Sequence, residues 1–232
     1  MKHATRSFAL GLVAVPLSLA LLSGPVSAGC GDSPAAGVDW TKCEKRRLIL
    51  RERDLSKGTF LRTDFSRSDL AGAKLMGADL SEANFEHARL AGADLSQAVL
   101  IESSGDRADF SGAVLREANL SKAEMGRTDF TGADFTGANI AKAEMGRAVL
   151  ADANLEGANL KRAEIARAVF KGAKLAGSDF TGAYTYLTHF EGADLSGVKG
   201  LTQRQLDDAC GDGTTKLPAG LSAPENWPCG QE

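Results

Sequence analysis

Three glutamates, Glu124, Glu144 and Glu164, lie 20 residues apart, and four arginines, Arg107, Arg127, Arg147 and Arg167, keep the same step. Arg67 and His87 extend the arginine series towards the N-terminus. Most of these residues belong to one recurring pentapeptide: Ala123-Glu124-Met125-Gly126-Arg127, Ala143-Glu144-Met145-Gly146-Arg147 and Ala163-Glu164-Ile165-Ala166-Arg167. Carboxylates and guanidinium groups in register suit recognition of a charged partner, provided the fold stacks residues 20 apart. A second reactive set is four cysteines, Cys30, Cys43, Cys210 and Cys229. A third is a series of aspartates, including Asp69, Asp79, Asp94, Asp109, Asp129, Asp134, Asp179 and Asp194. Paired carboxylates can perform acid–base chemistry, but these recur at one place in a repeat and read as part of its consensus. His87 and His189 fall at different places in the pentapeptide and point to neither a metal site nor a shared base. No glycine-rich phosphate loop follows a strand and opens a helix. No cofactor is expected.

What must position these groups is a strict period of five. From Leu55 to Leu195 every fifth residue, 29 positions, is Leu, Phe, Ile or Met in 27 cases; Gly105 and Thr185 are the exceptions. Two residues earlier, 28 of the 29 are Ala, Ser, Thr or Gly, with Arg53 the misfit. A helical face drifts out of register at 3.6 residues per turn, and an ordinary strand alternates with period two. The large and small residues, spaced by two, share one side of an extended backbone. One such unit cannot bury its large side chain alone, whereas a coil stacked on copies of itself can.

The repeats Ala78-Asp79-Leu80, Ala93-Asp94-Leu95, Ala118-Asn119-Leu120, Ala153-Asn154-Leu155 and Ala158-Asn159-Leu160 resemble the pentapeptide repeat family, over residues 53–197 without a frame shift. The resemblance implies an all-β fold: a right-handed, four-sided parallel β-helix with four pentapeptides per coil, hence about seven coils. At about 4.8 Å per coil the rod is roughly 35 Å long. Glycines such as Gly72, Gly92, Gly112 and Gly132 suit the turn at one corner. Gly105 is expected to leave a bulge or dent.

Residues 1–28 read as an export signal. Lys2 and Arg6 precede an apolar run from Phe8 to Leu22, and Val26 and Ala28 occupy the places a signal peptidase reads. The run is short for a membrane span, so no span is expected after cleavage. Lipoprotein processing at Cys30 is the alternative; Ala28 and Gly29 suit it, but Ser27 stands where Leu is usual. Cleavage removes two positive charges and leaves 25 Lys and Arg against 30 Asp and Glu, a net charge of −5. That mixed, mildly acidic surface argues against a nucleic-acid partner. The location is periplasmic or secreted.

The cysteines flank the repeat. In an exported chain an even count implies disulfides. Three pairings exist; Cys30–Cys43 and Cys210–Cys229 are favoured, because a rod of this length separates the two ends by far more than the roughly 7 Å a disulfide allows between Cα atoms. Without a Cys-x-x-Cys pair, zinc is set aside. Residues 29–52 read as linker and cap, with Trp40 covering the open end of the rod. Residues 198–232 read as a second cap, with a short helix over Leu201–Cys210, N-capped by Thr202 with Gln205 three residues on, and a Pro-rich tail. Gly-Leu-Thr-x-x-Gln-Leu followed by Leu-Pro and Trp-Pro resembles the tail of other bacterial pentapeptide repeat proteins. Covered ends favour a monomer over a dimer.

A non-catalytic structural or interaction module, acting on a protein or an envelope component, is the function these features favour. Some family members are gyrase-binding DNA mimics that protect against quinolones. That role implies a cytoplasmic, strongly acidic rod, which the leader and the balanced charge oppose. An enzyme with a site near Gly105 or in the tail is the third possibility. The Glu and Arg columns are either a duplicated, self-neutralising solvated face or a binding strip, in which the Arg column holds an acidic partner such as an anionic glycan. The first prediction concerns export: the intact mass of the exported protein should match residues 29–232. A mass for residues 1–232, or a diacylglyceryl adduct on Cys30, refutes it.

Overall fold

The computed structural model describes residues 29–229, so the expected export signal lies outside the described residues. From Asp39 onward the chain repeats a turn and a single bridging residue every five positions. Each bridge is parallel and, up to Asp179↔Lys199, joins residue i to residue i+20, as in Asp39↔Thr59 and Glu124↔Glu144. Four pentapeptides therefore make one circuit, and the next circuit lies on top of it.

The pentapeptide 119–123 shows why the period holds. Leu120 N–H donates up the stack to Asn139 O at 2.7 Å, and Asn119 N–H donates down it to Ala98 O at 2.9 Å. Lys122 N–H reaches Ala141 O at 3.1 Å, and Ala123 N–H closes its own turn on Leu120 O at 3.0 Å. The fifth donor, Ser121 N–H, is taken by the Asn119 side chain at 3.1 Å. This accounts for the Asp or Asn that precedes the large residue. Asp79, Asp94, Asp109 and Asp194 do the same for the residue two on, and also accept from its hydroxyl at 2.6–2.7 Å. The aspartate series is thus a set of turn caps.

The second residue of each turn lies in the left-handed region. Gly72, Gly92, Gly112 and Gly132 sit there at φ of 63–67°, and Arg127, Arg147 and Arg167 at 54–61°. Inside, the large residues are fully buried in columns, with Phe65 stacked on Phe85 at 5.5 Å, and the alanines two places earlier are buried against them. Gly105 leaves neither bulge nor dent. Its bridge and backbone hydrogen bonds are regular, and Met125 Sδ fills the space a Cβ would take, only 2.6 Å away. Thr185 is also buried, and its hydroxyl donates to Gln205 O at 2.7 Å.

The ladder begins earlier than residue 53, inside the expected linker and cap. Trp40, Lys45 and Leu50 occupy the next core positions in the same register, all under one-tenth exposed. Trp40 is thus the first aromatic rung, 5.7 Å from Phe60, and is itself covered. Lys45 lays its ammonium over the indole, 3.8 Å from the ring centroid, and donates to Cys30 O at 2.6 Å. Burial depresses its pKa, with Asp32 opposing the shift. The pattern hid this coil because a lysine stands where Leu or Phe is usual. Cys30–Cys43 pins the segment that supplies the carbonyl, with Cα atoms 5.4 Å apart.

At the other end, helix α1 is Gln203–Asp207, shorter than the expected span, with the Thr202–Gln205 capping box in place. Gln205 also donates to Phe180 O and Ala183 O, tying α1 to the last coil. After α1 the chain rejoins the ladder at Cys210, bridged to His189, and at Lys216, bridged to Asp194. Cys210–Cys229 holds the tail so that Trp227 packs against Gly211, filling the space a Cβ would take, and donates to Ala209 O at 2.8 Å. Among the described residues, no helix is long and apolar enough to cross a membrane.

Two outcomes follow for stability. Leu155→Ala, at a fully buried rung, should cost about 2–5 kcal/mol, read as a lowered denaturation midpoint with an unchanged slope. The hydroxyl and backbone donors at the turns hold the carboxyls of Asp54, Asp179 and Asp212 below the usual range, and Ser196 with Lys216 brings Asp194 to about 2. A carboxyl depressed in the fold stabilises it above the unfolded value near 3.9 and stops doing so as pH falls through the folded value. The melting temperature should therefore hold down to about pH 4 and fall between about pH 4 and 2; a flat profile over that window would contradict the capping role.

Candidate functional site

Stacking brings the recurring pentapeptide into register on one face. Glu124, Glu144 and Glu164 are bridged one above the next and form one exposed column. Arg127, Arg147 and Arg167 form a second exposed column, held outward by the left-handed backbone of their turns. Between them run Gly126, Gly146 and Ala166. Two ridges of long side chains with a floor of almost none make a trough, about 630 Å³ in volume.

The self-neutralising reading of this face needs Glu to pair with Arg, and no such pair forms among the described residues. The two columns stand on opposite sides of the turn, and none of Glu124, Glu144 and Glu164 has an ion-pair partner among the described residues. Arg127 instead reaches Asp106 at 3.4 Å, and Arg107 lies 3.7 Å from the same carboxylate. Arg107 is thus part of the column but not of the trough wall. Arg67 lines an adjoining hollow of about 470 Å³ with Arg46, Arg47 and Asp64. His87 sits 3.8 Å from Glu86, and His189 donates to or accepts from Glu191 at 2.9 Å on another face.

The floor differs from the rest of the rod. Where Asp or Asn precedes the large residue, its side chain takes the N–H two residues on. Glutamate is one methylene longer and does not, so the N–H groups of Gly126, Gly146 and Ala166 have no acceptor among the described residues. Val149 and Val169 leave similar donors open at Ala151 and Lys171, but only the Glu column leaves them on the floor between two charged walls.

One end of the trough is aromatic. Tyr184 is bridged to Glu164, prolongs the Glu column and lines the trough; Tyr186, whose carbonyl accepts from Arg167 N–H at 2.8 Å, stands beside it, 20 residues on from Ala166. The rings stack at 6.3 Å with an interplanar angle of 12°, are 53% and 43% exposed by residue, and Arg167 lies 5.6 Å from the Tyr186 centroid. The 20-residue step from Glu164 and Ala166 lands on these tyrosines, a signal the charge pattern alone passes over. Among the described residues no group of three or more acidic, His or Cys side chains could hold a metal ion.

The family profile for pentapeptide repeats matches in eight copies over residues 50–81, 78–116, 108–146, 143–182 and 163–199. The chain belongs to the pentapeptide repeat family. Among solved pentapeptide repeat structures it is similar to HetL, involved in heterocyst differentiation regulation in the cyanobacterium Nostoc sp. strain PCC 7120. That match has 27% identity and a TM-score of 0.61, over 82% of this chain and 90% of HetL. It is also similar in fold to full-length QnrB1, a plasmid-mediated fluoroquinolone resistance protein, with 20% identity and a TM-score of 0.56 over 78% of this chain and 91% of that one. No curated protein matches it.

Proposed function

We propose that this pentapeptide repeat protein is a non-catalytic interaction module, exported to the periplasm or beyond, that holds its partner in the trough between the Glu and Arg columns. Its rod is a right-handed, four-sided β-helix of eight coils, counted from the bridged column Asp39 to Lys199 in steps of 20. The leader-like residues 1–28 and the two disulfides at the ends support an oxidising location. A regulatory role, by analogy with HetL in heterocyst differentiation, fits a surface that gathers charges in columns.

The observation that carries the reading is the trough itself. It lies on the strip picked out by the 20-residue step, and its walls are not consumed by pairing with each other. The fold does not require an open floor there, since an aspartate before the large residue would cap it as elsewhere.

Gly146 supplies the test. Its φ is not in the left-handed region, and the nearest atom to an added Cβ is Ala166 O at 3.7 Å, an ordinary contact. Gly146→Leu should fold with an unchanged melting temperature while its side chain obstructs the trough. Material retained by the immobilised protein from periplasmic extract should then fall sharply. The control is Lys122, Lys142 and Arg162 replaced together by Gln on another face, which should leave retention unchanged. Equal retention by the wild type and Gly146→Leu would refute the trough as the binding face.

A further inference from the structure

We propose that the trough binds a neutral polysaccharide chain, laid along the axis of the rod and ending against the Tyr184–Tyr186 pair. The inference rests on the trough being the binding face and names what it takes.

The donors and acceptors of the trough select the ligand. Arginine and a backbone N–H only donate; an ionised glutamate only accepts. One wall and the floor therefore ask for acceptors, and the other wall asks for donors. A polyanion would satisfy Arg147 and the floor, but would meet the carboxylates of Glu86, Asp106, Glu124, Glu144 and Glu164, which outnumber the three lining arginines. A polycation would satisfy the Glu wall, meet the like charge of the three lining arginines and leave the floor N–H groups with nothing to donate to. A hydroxyl both donates and accepts, so a chain of hydroxyls satisfies both walls and the floor without bringing a charge. The anionic glycan suggested by the Arg column alone fits less well, because the structure sets an unpaired Glu column opposite.

The shape agrees. From Asp106 to Tyr186 the floor climbs four coils in steps of 20 residues, or about 19 Å at the spacing of stacked strands. The three levels at Glu124, Glu144 and Glu164 repeat the same three groups, a carboxylate, a floor N–H and a guanidinium, so a repeating polymer meets the same partners at each of these steps. The stacked tyrosines then offer exposed apolar faces with polar tips, which suits the C–H face of a sugar ring. Arg167 beside Tyr186 helps to hold that ring in place.

The experiment is calorimetric titration of the full mature chain with neutral hexasaccharides (cellohexaose, maltohexaose and N-acetylated chitohexaose), with polygalacturonate as polyanion and polylysine as polycation. At least one neutral hexasaccharide should bind, with nearly the same affinity at 0.1 M and 1 M salt, where the Debye length falls from about 10 Å to about 3 Å. Tyr184→Ala with Tyr186→Ala should weaken it by about tenfold or more, a change of about 1.4 kcal/mol per tenfold. Gly146→Leu should abolish it, and the Lys122, Lys142 and Arg162 triple should leave it unchanged. Binding of polygalacturonate or polylysine alone, lost at high salt, overturns the inference, as does binding of none of the five probes. Either result leaves the trough standing if Gly146→Leu still loses the periplasmic partner, so the two readings fail separately.

Discussion

Every pentapeptide brings five backbone N–H groups to a narrow rod, and the architecture depends on where each one goes. Three donate to neighbouring coils, one closes its own turn, and one is left on the outside. The inter-coil bonds set residue i against residue i+20 through the repeat, and extra residues are looped out before the ladder resumes, as between His189 and Cys210. The outside donor explains the Asp or Asn of the consensus, because a short side-chain carbonyl is what reaches it. The left-handed turn residue explains the glycines, and equally why charged residues at that place stand outward in columns. Core, turn and surface pattern all descend from this one accounting of donors.

The accounting fails at the two ends, and both caps answer it in the same way. An end coil exposes donors, acceptors and large apolar side chains to any other copy. At the start, Trp40 forms the first aromatic rung and Lys45 covers it, tethered to the carbonyl of a disulfide-bonded cysteine. At the finish, α1 docks through Gln205, and the tail returns to the ladder at Cys210 before Trp227 seals Gly211. Each disulfide closes a short loop next to a tryptophan. Each thus restrains a cap whose own apolar area is small, rather than the rod, which is held by its ladders.

Much of this was legible in the sequence, and the misses have physical causes. The period of five, the large and small core positions and the turn glycines all follow from side-chain size and need no tertiary information. The start of the ladder was hidden because Lys45 fills a core position with a charged residue, and only the indole beneath it and the Cys30 carbonyl make that tolerable. Gly105 looked like a defect because its filler, Met125, comes from the coil above, 20 residues on. The Glu and Arg columns were found by their step, but their failure to pair was not. Residues three apart across a tight turn look adjacent in sequence, whereas the turn sends them to opposite walls. The tyrosines lie on the same step but carry no charge, so the charge pattern does not mark them.

The three coils from Asn119 to Ser178 bear on whether the trough is a remnant of duplication. Aligned at 20 residues, they agree in all three copies at six places: Asn119, Ala123, Glu124, Arg127, Ala133, Gly137 and their counterparts. Four of the six are demanded by the fold. The asparagines form a ladder, each donating to the one below at 3.0–3.1 Å. The two alanines are buried core positions, and the glycine sits in the left-handed turn. The other 14 places have drifted, including core residues such as Met145 and Ile165 and the floor residues Gly146 and Ala166. The other two of the six are Glu and Arg: Arg127 reaches Asp106 and Arg167 lies over Tyr186, whereas the Glu forfeits the cap an Asp would provide and has no ion-pair partner among the described residues. Drift that rewrites the core yet keeps two exposed charges on either side of an open floor is the pattern expected if the proposed binding face is used.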